Sequence, residues 1–206
     1  MEIVHEFTCA SQIGKIMLEG VRDIVGQAGV NAISGFSTPR FLPASGPENL
    51  EKMAFSELSV LQGVLEALYG KKGGQGIALR AGRASTSMIF RKFGQPMGLN
   101  NLDYRLQPTP TRIKGGLETL AKKFSDLCGE PFLMAEDEEA WIWQVRTCPV
   151  CRHRQSEKPA CYFIVGLLQE FVTTISGGKI YNVVESECLA AGAQACTFRV
   201  DKQAMD

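Results

Sequence analysis

Five of the seven cysteines in this 206-residue chain fall in its last third. They are Cys148 and Cys151 in "CPVCRHR", Cys161 in "PACYF", and Cys188 and Cys196 in "ESECLAAGAQAC". The N-terminal "MEIVHEFTCASQ" has no basic segment leading into an apolar run, so no signal peptide is read there. No apolar stretch approaches the roughly 18 residues of a membrane span. The expected compartment is therefore the reducing cytosol, where clustered thiols bind metal or do redox chemistry more often than they form structural disulfides.

The spacing narrows the choice. A C-x2-C turn lets two thiolates approach one ion at about 2.3 Å, and Pro149 stiffens that turn. Glu185 and Cys188 stand three residues apart near a strand end and would face opposite sides of an ideal strand. They meet one ion only if the chain turns after Glu187, and "CLAAGAQAC" with Gly192 supplies that turn. Cys196 then returns on the next strand, and Cys161 opens a helix whose dipole favours a thiolate. A redox C-x2-C pair lacks the thioredoxin-like context, and the remaining alternative is a set of inert thiols. Cys9 and Cys128, isolated in sequence, read as small buried hydrophobes. His153, between two arginines, reads as exposed.

Around these residues the hydrophobic pattern predicts helices first, then strands interrupted by a helix, an α+β order. Ile13, Ile16, Met17, Val21, Ile24 and Val25 recur at helical spacing between a cap at Ser11 and a stop at Gly29. A loop, "GFSTPRFLPASGPEN", follows. Leu58, Leu61, Leu65 and Leu68 predict a second helix ending at Tyr69-Gly70, with "GKKGGQG" as a flexible turn into a third. Ile113, Leu117, Leu120, Ala121, Phe124 and Leu127 form the stripe of a fourth helix, closed by Gly129 and Pro131. "FLMAEDEEAWIWQVR" predicts a hairpin, Pro159 precedes a last helix, and "IYNVVE" and "CTFRV" predict closing strands. Balanced charge, 22 basic against 22 acidic residues, argues against a dedicated nucleic-acid binder.

The stretch "PACYFIVGLLQEFVTTISGGKIYNVVESECLAAGAQACTFRV" resembles the 4-vinyl reductase-like domain of bacterial hydrocarbon-binding proteins and of phenol- and xylene-responsive regulators. That family is similar in fold to the Bet3-type subunits of TRAPP tethering complexes. The resemblance rests on Cys161 opening a helix that contains Gly166, on Glu185-x2-Cys188, and on Gly192-x3-Cys196-x-Phe198. It extends through "LEALYGKKGGQGIALRAGRAS", from about Phe55 to Val200, with residues 1–50 as an N-terminal helical extension and 51–206 as the domain.

The resemblance implies a helical layer packed on a small antiparallel sheet, with a metal-clasped C-terminal lobe. It implies a structural zinc held by Cys161, Glu185, Cys188 and Cys196. Cys148 and Cys151 lie outside that pattern; they replace one of its ligands or support an iron–sulfur cluster, since four thiolates suit either. A fully ligated ion has no open position for chemistry, so no catalytic residue is expected from it.

Function then moves to a hydrophobic cavity for a small apolar or aromatic molecule, in a module that binds or senses and, as the family implies, forms a homodimer. Candidate wall residues are Trp141, Trp143, Tyr162, Phe163, Phe171 and Phe90, each also plain core material, and Arg80 and Arg83 are candidates for a polar head group. A tetrapyrrole 4-vinyl reductase, or an accessory protein of that pathway, is the enzymatic alternative. It lacks a recognisable nicotinamide or flavin motif, because "GKKGGQG" has no βαβ setting. An assembly or tethering protein is the third reading.

Overall fold

The computed structural model describes residues 7–36 and 52–205. The loop expected at "GFSTPRFLPASGPEN" falls mainly within 37–51, outside the described residues, as does His5. In chain order the elements are β1 (Thr8–Ala10), α1 (Ser11–Phe36), β2 (Lys52–Ala54), α2 (Phe55–Phe93), α3 (Leu102–Arg105) and α4 (Thr109–Cys128). They continue with β3 (Phe132–Glu136), β4 (Ala140–Val145), α5 (Tyr162–Ser176), β5 (Tyr181–Glu187) and β6 (Cys196–Ala204). This is an α+β arrangement: helices pack on a four-stranded antiparallel sheet of order β3-β4-β6-β5, while β1 and β2 pair separately.

The long helices bend where glycine permits it. The apolar stripe of α1 runs past Gly29, the expected stop; the break falls at Gly26 (φ 68°), and the helix resumes to bury Val30 and Ile33. In α2 the break is at Gly70 (φ 72°), where the second helix was expected to end. Residues 71–76 are helical rather than a flexible turn, and no extended entry precedes Ile77. The physical reason is tertiary packing. Gly74 lies so near the backbone of Leu65 and Glu66 that a Cβ there would stand 2.4 Å from Glu66 N. Weak helix propensity is thus overridden by a close chain approach.

The fourth helix and the hairpin form where expected. α4 buries Ile113, Leu117, Leu120, Ala121 and Phe124 on one stripe and closes at Gly129, which is left-handed. On β4, Trp141, Trp143 and Val145 point inward with half-buried Ile142 and Gln144 between them, the period-2 pattern of a one-faced strand. Trp143 anchors the core, its ring 4.9 Å from Phe132, 5.9 Å from Phe124 and 6.0 Å from Phe198. α5 lies against α2 at two glycines: a Cβ on Gly166 would stand 1.9 Å from Leu79 O, and one on Gly82 2.0 Å from Phe163 O. No helix among the described residues is long and apolar enough to cross a membrane.

Cys9 and Cys128 are buried as expected, but they are not inert thiols: they are joined in a disulfide that ties β1 to the end of α4. Their 119-residue separation concealed the pairing, which follows from the way α4 runs back to the N-terminal strand.

Candidate metal centre and the adjoining cavity

The five remaining cysteines come together as free, buried thiols. Cys148 and Cys151 lie on a turn directly after β4, stabilised by Arg152 N–H donating to Cys148 O at 3.1 Å. Cys161 caps α5. A register shift between Glu185 and Glu187 realigns the end of β5, and a one-turn 3-10 helix, Leu189–Ala191, with left-handed Gly192 then reverses the chain. This bulge and turn overcome the opposite-face problem at Glu185 and Cys188. Cys196 begins β6, directly opposite Val145.

The sulfur separations are 3.6 Å for Cys148–Cys161, 3.3 Å for Cys151–Cys196, 3.8 Å for Cys161–Cys196, and 3.9 Å for Cys188 to both Cys161 and Cys196. Four sulfurs about 2.3 Å from one ion in a tetrahedron would be about 3.8 Å apart. Two groups of four ligand atoms result, each with all members within 4.8 Å: Cys148, Cys151, Cys161 and Cys196; and Cys161, Glu185, Cys188 and Cys196. All six residues singled out in the sequence are therefore neighbours. His153 is exposed, with positive φ, and belongs to neither group.

The electrostatics suit a cation. Cys161 N–H donates to Glu185 Oε2 at 2.7 Å, while Glu185 Oε1 is buried with no hydrogen-bond partner among the described residues. Burial pushes the Glu185 carboxyl up to about 8. Burial also pushes the Cys161 thiol up; Cys148, opposed by its own burial, is drawn below the usual thiol range by hydrogen bonds from Cys151, Cys161 and Cys196. An orphaned carboxylate oxygen among five thiols is a donor set that fits a thiophilic ion. The knuckle is anchored to α2 by an Arg154–Glu66 ion pair at 2.8 Å and by Gln62 Nε2 donating to Ala160 O.

Against this cluster lies an apolar cavity of about 20 Å³. Pro149 and Val150, the two residues inside the C-x2-C turn, form part of its wall, as do Phe163, Ile164 and Leu167 of α5. Ile13, Ile16 and Met17 of α1, Phe124, Phe132 and Trp143 close it. Of the six aromatic candidates, Trp143 and Phe163 reach this wall. Trp141 packs on Tyr181 (6.3 Å), Phe90 stacks on Phe171 (5.3 Å), and Tyr162 is half-buried beside the cluster. The indole Nε1 of Trp143 is buried without an acceptor among the described residues. Arg80 and Arg83 line a surface cleft instead, Arg83 donating to Gln169 Oε1. Pro149 was read from the sequence only as stiffening the turn, and Ile13, Ile16 and Met17 only as a helix stripe; neither they nor Val150 were read as cavity wall, and apolar residues between two thiols gave the only hint.

An α+β domain with a thiol cluster at the sheet end is thus defined. Residues 141–202 match the V4R domain, which supports the 4-vinyl reductase-like resemblance over the C-terminal part of the chain. No curated protein matches the chain. Among solved structures, an iron(II) unliganded H-NOX protein variant from K. algicida is similar, at 16% identity and TM-score 0.63, over 94% of this chain and 96% of that one. An H-NOX protein from S. oneidensis in an Fe(II)NO state is similar at 11% identity and TM-score 0.57, over 96% and 99%. An oxygen-binding H-NOX domain related to soluble guanylate cyclases is similar at 13% identity and TM-score 0.58, over 96% and 97%. At such identities the likeness is one of fold alone. The resemblance led to an expectation of Bet3-type and phenol-regulator relatives; the structural relatives described are H-NOX domains.

Proposed function

We propose that this chain is a small-molecule-binding module whose thiol cluster holds a structural metal ion and thereby fixes one wall of an apolar ligand cavity. The observation that carries the reading is the position of Pro149 and Val150: they are at once the interior of the C-x2-C turn and the lining of the cavity. Holding Cys148 and Cys151 to an ion immobilises that wall, so metal occupancy and ligand binding are linked through a rigid turn.

Zinc is the ion proposed, because a closed set of protein ligands needs no redox chemistry; a colourless protein distinguishes it from a brown iron–sulfur cluster. Cys161, Cys188, Cys196 and Glu185, with Cys148 and Cys151, are its proposed ligands. No residue is assigned a catalytic role. Residues 1–50 are proposed as an extension upon the domain 51–206, and a homodimer paired through helices is part of the same proposal.

The ligand is an apolar molecule carrying one hydrogen-bond acceptor, which the unpartnered Trp143 indole N–H would satisfy. The free space suffices for about one water-sized molecule, so a larger guest enters by displacement of the pliable Met17 side chain. Heme, named for a further structure of the H-NOX family with this fold, does not fit this cavity. No His, Cys or Tyr lines the cavity, and among the described residues the one histidine, His153, lies on a separate surface cleft.

Native mass spectrometry of protein purified from its own host, with indole N–H NMR of the two tryptophans during titration with phenol and anisole, and with benzene as the acceptor-free control, tests the reading. A co-purifying apolar molecule, or a shift of the Trp143 signal alone, is expected. No co-purifying molecule and two unmoved indoles would contradict it.

A further inference from the structure

We infer that the cluster is a binuclear centre: two divalent thiophilic ions, bridged by the sulfurs of Cys161 and Cys196, with Cys148 and Cys151 completing one shell and Cys188 and Glu185 the other. The inference rests on the reading that the cluster holds metal and extends it in number and connectivity.

The geometry points there because the two groups of four ligand atoms overlap in two members, Cys161 and Cys196. Those two sulfurs stand 3.8 Å apart, the edge length of a tetrahedral thiolate shell. Cys148 is 3.6 Å from Cys161 and Cys151 is 3.3 Å from Cys196. Cys188 is 3.9 Å from both members of the edge, so Cys161, Cys188 and Cys196 make a nearly equilateral face. Glu185 supplies the fourth vertex of that group, and its Oε1 is buried without a partner. Two tetrahedra sharing one edge need six ligands, and six are present.

One ion leaves a remainder in either placement. An ion on the four-thiol group strands Cys188, 1% exposed, beside the orphaned Glu185 oxygen. An ion on the other group strands Cys148 and Cys151, 0% and 1% exposed. The Glu185 oxygen left without a partner is costly, and any thiol left off the ion would have to stay protonated against bound thiolates 3.3 to 3.9 Å away. Two divalent ions on five thiolates and one carboxylate leave a net charge of minus two, the same as one ion on four thiolates, and no ligand unused.

The test is the metal stoichiometry of the full chain, reduced, loaded anaerobically with Zn(II) and in parallel with 113Cd(II). Two ions per chain by native mass spectrometry and elemental analysis are expected, with two 113Cd resonances coupled to each other through the shared sulfurs. The paired variants Cys148→Ser/Cys151→Ser and Glu185→Gln/Cys188→Ser should each retain one ion. Because these may alter folding, the wild-type 113Cd coupling stands as the independent readout. One ion per wild-type chain, or two uncoupled resonances, overturns the bridged centre and leaves the single-ion reading intact. Iron with labile sulfide in natively purified protein also overturns it, whereas a folded chain that takes up no metal removes the underlying reading itself.

Discussion

The sulfurs of Cys161 and Cys196 stand 3.8 Å apart, one capping α5 and the other opening β6, and this pair belongs to both groups of metal-ready atoms. Loss of either should therefore affect every ion, whereas loss of Cys188 affects one group only. Cys161→Ser or Cys196→Ser should abolish metal retention and cost on the order of 4 kcal/mol or more, because binding energy becomes folding energy. For a chain of this size that is a fall in Tm of about 10 °C. Cys188→Ser should retain metal and melt between these variants and the wild type. Elemental analysis and thermal melting check the ranking; equal behaviour of all three would contradict it.

The α2–α5 contact makes an unusual glycine prediction. Gly→Ala inside a helix ordinarily stabilises by roughly 0.5–1 kcal/mol. At Gly166 the added methyl would stand 1.9 Å from the Leu79 carbonyl oxygen, a backbone atom that cannot turn aside. Gly166→Ala should thus destabilise by about 3 kcal/mol, or roughly 5–10 °C in Tm. Gly115→Ala on α4, where nothing lies within 4 Å of the new methyl, should be neutral or stabilising. Thermal melting of both variants decides it.

The β3–β4 turn carries the pH prediction. Asp137 Oδ1 accepts from the N–H groups of Glu139 (2.9 Å) and Ala140 (2.8 Å), and Oδ2 pairs with Arg199 at 2.7 Å. The Arg199 hydrogen bond, with those backbone donors, holds the carboxyl down at about 2. A depressed acid gives its stability above its unfolded value, about 4, and loses it as pH falls through the folded value. The stability gap between wild type and Asp137→Asn should therefore be full above pH 4 and close toward pH 2. Urea midpoints across that range check it; a constant gap would contradict it.

Much of this was legible in the sequence because local rules and tertiary demands agreed. α4 followed from one stripe and a glycine, and the hairpin from alternation around Trp141, Trp143 and Val145. The six residues that cluster were singled out from residue type, spacing and the family resemblance, and the turn after Glu187 followed from Gly192. The misses lie where distant chain contacts decide. The "GKKGGQG" run is helical because the backbone of Leu65 and Glu66 lies against Gly74, and Cys9 meets Cys128 through the return of α4. The overlap of the two ligand groups was likewise invisible, since spacing along the chain does not reveal which sulfurs are shared.

The central claim is that the clustered thiols clasp metal and so hold the C-terminal lobe and the cavity wall in place. Its most direct test is the metal content of natively purified full-length protein, measured together with thiol reactivity and melting before and after chelation. Bound thiophilic metal, cluster cysteines that resist alkylation until the metal is stripped, and a Tm that then drops by about 10 °C or more are predicted. Metal-free protein that is folded, alkylates freely at Cys148, Cys151, Cys161, Cys188 and Cys196, and melts unchanged with chelator would contradict it.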